Sequence, residues 1–151
     1  MAQELKNHRM ETTKDLILQV FCFLEEQYSY THIFQEKMDD TFIEYLQVTY
    51  INEVKHREVT ISYTSGKVYD EIRYTFTITI TRTPYSDLED FFSLSEYLQS
   101  KGKDFSTNIV KDFNEQEAEK ILEKLAVSIK ENALEIIEGN QWSGEYYPRK
   151  D

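Results

Sequence analysis

The chain has 151 residues, enough to bury a core in one domain, and its hydrophobic (40%) and aromatic (14%) content argues against a disordered polypeptide. A net charge of −11 weighs against binding to nucleic-acid phosphates or anionic membranes, which such a surface repels. The single cysteine, Cys22, rules out an intramolecular disulfide.

The acidity is uneven. Residues 1–84 carry 13 acidic and 9 basic side chains, and residues 85–138 carry 13 and 6. Solubility is the plainest account of the excess. A basic protein partner is the alternative, because opposite charge accelerates encounter.

The N-terminal stretch MAQELKNHRMETTK is polar and lacks the apolar run of a signal peptide. The most apolar run, residues 16–24, is too short to span a bilayer, which takes about 20 residues. The expected location is the cytoplasm.

Residues 12–28 read as a helix, with Leu16, Ile17, Val20, Phe21, Leu24 and Tyr28 on one stripe. Thr12 or Thr13 can cap its start, and residues 2–11 either extend it or fray. Leu18 and Cys22 lie on the opposite side. The helix is therefore apolar nearly all round for two turns, which raises the prospect of a homodimer.

Strands follow over residues 30–83. YTHIF opens the run at Tyr30, and KMDD reads as a turn. TFIEYLQVTYI (41–51) and REVTISYT (57–64) read as strands, with SGK (65–67) as the hairpin turn between the second of these and the next strand. That next strand, IRYTFTITITR (72–82), alternates Ile72, Tyr74, Phe76, Ile78 and Ile80 with Thr75, Thr77, Thr79 and Thr81. The apolar set should face helices and the threonines water, as in an antiparallel sheet with one covered face. Pro84 ends the strand.

SLSE begins a short helix with Ser93 as cap and Glu96 three residues on; Leu94, Tyr97 and Leu98 should face the core, and Gly102 closes it. Residues 103–113 connect, anchored by Phe105, Ile109, Val110 and Phe113. Asn114 and Glu117 mark the start of a long helix over about 115–138, with Ala118, Ile121, Leu122, Leu125, Ile129, Ala133 and Ile136 on one stripe. Val127 and Leu134 form a smaller row opposite, and Gly139 occupies the C-cap position.

The fold class is α+β: an N-terminal helix, an antiparallel meander of three to four strands, and C-terminal helices packed on one face of the sheet. Residues 1–151 form a single domain, with 1–11 and 140–151 less ordered.

No motif for chemistry stands out. His8, His32 and His56 are far apart and form no zinc-ligand spacing. The four glycines are isolated, so no phosphate-cradling loop is present. Adjacent carboxylates such as Asp39/Asp40 point apart and make no dyad. The expectation is a non-enzyme with no metal and no cofactor. The candidate interaction residues are Thr75, Thr77, Thr79 and Thr81 on the strand and Trp142, Tyr146 and Tyr147 in the aromatic tail, since aromatic anchors are frequent hot spots.

The order helix, strand meander, FFSLSEYLQSKG and FNEQEAEKILEKLAVSIKENALEIIEGN resembles the layout of small bacterial immunity proteins encoded beside polymorphic toxins. The resemblance is one of layout and assigns no residue a role. It implies a cytosolic, non-catalytic binder that neutralises a toxin domain by covering its active site. The alternative reading is a small-ligand-binding module with a cavity between the sheet and the long helix.

Overall fold

The computed structural model describes residues 2–36, 44–86, 90–103, 107–110 and 112–142. Two helices open the chain, α1 (Ala2–Val20) and α2 (Cys22–Tyr28). Four long strands follow: β1 (Thr31–Glu36), β2 (Glu44–Asn52), β3 (Arg57–Val68) and β4 (Glu71–Arg82). The rest comprises β5 (Phe91–Ser93), α3 (Leu94–Ser100), β6 (Asn108–Val110), α4 (Glu115–Asn132) and α5 (Leu134–Ile137). Strands β1 to β4 form an antiparallel meander, as short connections between successive strands require. The α+β class expected from the sequence is observed.

The edge of the sheet at β4 is larger than a meander predicts. β5 pairs with Thr79–Thr81 and β6 with Arg73–Thr75, so two short strands share one edge. Between them Phe76 donates its N–H to the Thr107 carbonyl at 3.1 Å. The segment before Ser93 is therefore partly strand, and the connector around Ile109 supplies another. At the opposite edge, every residue of β1 is exposed.

Helix α1 begins at Ala2, more than two turns before Thr12, so neither Thr12 nor Thr13 caps it. Thr13 is instead fully buried mid-helix. The helix is interrupted at Phe21, which is itself buried, and α2 ends on Ser29 in the left-handed region (φ 64°). Leu16, Ile17, Phe21 and Leu24 are buried as their spacing predicts, and Leu18 and Val20 pack partly on the same core. Of the second apolar side, Leu18 is thus partly used within the chain.

The expected long helix stops at Asn132. Tyr97 Oη donates to the Asn132 carbonyl at 3.0 Å, and Ala133 leaves helical geometry (φ −126°, ψ 12°). Leu134 then belongs to the separate α5, while Val127 stays exposed on α4. The start is as expected: the Asn114 side chain accepts from the Glu117 N–H at 3.1 Å. Ser93 holds the cap position of α3 but makes no side-chain cap bond. Leu94, Tyr97 and Leu98 are buried as expected.

SGK is not a turn. Ser65, Gly66 and Lys67 continue β3, pairing with Tyr74, Arg73 and Ile72, and the chain reverses at Tyr69–Asp70. Ile72 is consequently at the hairpin end, exposed beyond the helices, while Tyr74, Phe76, Ile78 and Ile80 are buried beneath them. KMDD and Phe105 lie outside the described residues.

Candidate functional site

The outward face of the sheet forms a regular grid, because antiparallel pairing places like-facing residues side by side. One row runs Ile33, Thr49, Thr60, Thr79 and Ser93 across five strands. The next runs Gln35, Gln47, Ser62 and Thr77. A third runs Tyr45, Thr64, Thr75 and Asn108, and a fourth Thr31, Ile51, Glu58, Thr81 and Phe91. The hydroxyls pair in places: Thr49 and Thr60 Oγ1 atoms are 3.2 Å apart, and Thr75 Oγ1 donates to Asn108 Oδ1 at 2.7 Å.

In these four rows Glu58 is the one charged residue, whereas 30% of the chain is charged. The buried residues of β2, β3 and β4 alternate onto the other face, under the helices. Thr75, Thr77, Thr79 and Thr81 are thus brought together with threonines and serines from two neighbouring strands. Thr77 is exposed and the other three are half-buried by their neighbours.

Trp142 behaves differently. Trp142 is only 7% exposed and packs edge-on against Phe92, with ring centroids 5.4 Å apart. The Arg57 and Arg82 guanidinium carbons lie 4.9 and 5.1 Å from its ring centroid. Arg57 also donates to the carbonyls of Ile136, Gln141, Lys55 and His56. Trp142 therefore closes this chain's own core, and its ring is not presented as an external anchor. Burial lowers the Arg57 pKa; the Tyr30 hydroxyl acts against that shift and the Arg82 charge adds to it. Tyr146 and Tyr147 lie outside the described residues.

A second constellation escaped the sequence reading. Glu44, at the start of β2, has a side chain only 1% exposed. Its Oε1 accepts from Arg9 Nε at 3.0 Å, and its Oε2 accepts from Tyr63 Oη at 3.2 Å and Ser65 Oγ at 3.0 Å. A buried carboxylate is tolerated only with such partners. Arg9 comes from α1, 35 residues away in sequence, so no local motif marks the pair.

These groups perturb one another. Burial weakens the Arg9 charge, but the Glu44 hydrogen bond and charge outweigh it and raise the pKa. Burial pushes the Tyr63 hydroxyl up, reinforced by Glu44. Burial also raises Tyr74; Arg9 opposes this, and Glu44 and Asp112 add to it.

Above the pair a cavity of about 390 Å³ opens between α1, β4 and the start of α4. Leu5, His8, Arg9 and Thr12 line it from α1, Tyr74 from β4, and Asp112, Phe113 and Glu115 from the approach to α4. Beneath α4 itself the core is filled by its buried stripe, so the space lies at the helix's N-terminal end.

Among the described residues, no three His, Cys, Asp or Glu side chains gather as metal ligands, and no helix is long and apolar enough to cross a membrane. Set against known protein families, curated proteins and solved structures, the chain matches none.

Proposed function

We propose that the protein is a non-enzymatic interaction domain that docks a basic protein partner, as an immunity protein holds its toxin. The observation that carries this reading is the central part of the outward sheet face: four rows of hydroxyl, amide and apolar side chains with one charge among them, Arg73 and Glu71 lying beyond them at the hairpin end. Charged residues are depleted at the centres of protein interfaces because burying them is costly. The threonine and serine side chains that dominate these rows also have little side-chain entropy to lose on docking. The acidic side chains of the described part of residues 85–138 lie outside these rows and would speed the approach of a basic partner.

The test is co-expression with the product of the neighbouring gene. A stable complex with a basic toxin domain is expected. Thr60→Lys with Thr77→Lys should dissociate it while leaving the melting temperature of the free protein nearly unchanged. Higher salt should slow association. A neighbour that is no toxin, together with no stable basic partner, sinks the reading, as does a complex indifferent to the two lysines.

A second reading, a small-ligand-binding module, is favoured by the Arg9 cleft, where a cavity, a half-buried ion pair and two acidic side chains converge.

A further inference from the structure

Arg9 is 28% exposed, and only its Nε is engaged, by Glu44. Its two terminal nitrogens have no hydrogen-bond partner among the described residues. Glu44 thus holds the guanidinium at Nε and leaves its outer edge unpaired, at a residue that lines the cavity. That edge presents paired N–H groups in the geometry that a carboxylate accepts.

The opposite wall has the opposite character. Asp112 and Glu115 line it, both exposed and neither in an ion pair with a described residue. Phe113 stands on this wall between the two acids, and its ring meets the buried Tyr74 ring from β4 at 5.4 Å and 71°. Aromatic faces attract cations. With Arg9 balanced by Glu44 and His8 neutral, Asp112 and Glu115 leave the cleft net negative. A simple anion is therefore repelled by one wall, and a simple cation leaves the Arg9 edge unused.

We infer that the cleft binds a small molecule with a carboxylate at one end and an ammonium or guanidinium at the other, a free basic amino acid being the simplest case. Its carboxylate takes the terminal nitrogens of Arg9, and its cationic group lies towards Asp112 and Glu115 beside the Phe113 ring. The cavity, about 390 Å³, is within the range of small-molecule sites. This deepens the ligand-binding reading and is independent of the sheet face, since the cleft lies on the helix side of the sheet.

The experiment is calorimetric titration of the full chain with L-lysine and L-arginine, alongside cadaverine, which lacks the carboxylate, and glutarate, which lacks the cation. Saturable binding of lysine or arginine is expected, with cadaverine and glutarate each at least about tenfold weaker, the worth of one charge-assisted hydrogen bond. Asp112→Asn and Glu115→Gln alter exposed side chains and keep the fold. Each should weaken lysine binding by about threefold. Arg9→Lys keeps a charge towards Glu44 but loses the planar edge, and should weaken it by about tenfold.

Two outcomes overturn the inference. One is no saturable binding of either amino acid up to about 10 mM, weaker than the millimolar end of ordinary affinities. The other is binding that all three variants leave unchanged, which places it elsewhere on the protein. Saturable binding of glutarate alone, lost in Arg9→Lys, overturns the ligand class while keeping the cleft as a ligand site.

Discussion

Arg9 and Glu44 form a 3.0 Å ion pair that joins α1 to the first residue of β2, with the carboxylate almost wholly buried. The partners are unequal: Glu44 has no route to water, while Arg9 keeps part of its surface exposed. Removing the cation therefore costs more than one hydrogen bond, because it leaves a buried charge with only neutral donors.

Arg9→Met should destabilise the fold by about 3 kcal/mol in urea unfolding. Adding Glu44→Gln to it should recover a good part of the loss, since the orphaned charge is then gone. If the double variant is no better than the single one, the buried carboxylate is not the source of the cost.

Arg57 binds together four carbonyls and the face of Trp142. Arg57→Lys supplies a point charge that cannot reach them all. A loss of about 2 kcal/mol is expected, the scale of charged hydrogen bonds left unmade. Trp142 is the sole tryptophan, so its fluorescence reports the site directly. The emission should move to the red and become quenchable by acrylamide; an unchanged spectrum contradicts the role given to Arg57.

The buried tyrosines predict alkaline sensitivity. Burial raises the hydroxyl pKa of Tyr30, against a weaker opposing effect of Arg57, and of Tyr50, where Glu25 and Cys22 add to it. Burial and Glu44 raise that of Tyr63. An unfolded tyrosine ionises near pH 10. Above that pH the unfolded chain loses protons that the native one retains, so stability is full below about pH 10 and falls as the pH rises further. Absorbance at alkaline pH should show these three hydroxyls ionising only with unfolding. Smooth titration of all eleven tyrosines in the native protein would exclude this.

The β3–β4 hairpin reverses through Tyr69, which holds φ 57° and is 94% exposed. Two-residue hairpin turns demand positive φ, which a bulky side chain adopts at a cost. Since the ring buries almost nothing, Tyr69→Gly should stabilise the protein by about 0.5–1 kcal/mol. Thermal melting measures the sign. A decrease would mean that the exposed ring contributes more than the backbone strain costs.

The alternation of Tyr74, Phe76, Ile78 and Ile80 with threonines was readable from sequence, because the period of a strand is set by local backbone geometry. The same holds for the stripe from Ala118 to Ile129 and for the Asn114 cap, whose bond spans three residues. Burial of the apolar members follows once one face is covered. What those local rules could not give was extent: α1 runs back to Ala2 although only its later turns carry the apolar stripe.

The hairpin shows where local reading ends. Ser65-Gly66-Lys67 has the composition of a turn, yet Ser65 is fully buried and its hydroxyl serves Glu44. The register that supplies this partner carries the strand on to Val68 and leaves Tyr69 and Asp70 to turn. The register that buries Tyr63 and Phe76 side by side also gives Glu44 this donor, against a local turn preference.

The sequence alone determined the layered α+β plan, the hydroxyl-rich face and the acidic balance, since these depend on periodicity and composition. The tertiary structure alone decided that Trp142 is closed beneath two arginines, that Asn132 ends the long helix against Tyr97, and that Arg9 reaches Glu44 at the floor of a cleft. Each of these joins residues far apart in the chain. Their energy comes from burying charge and polar groups with suitable partners, a condition met only once the core has closed.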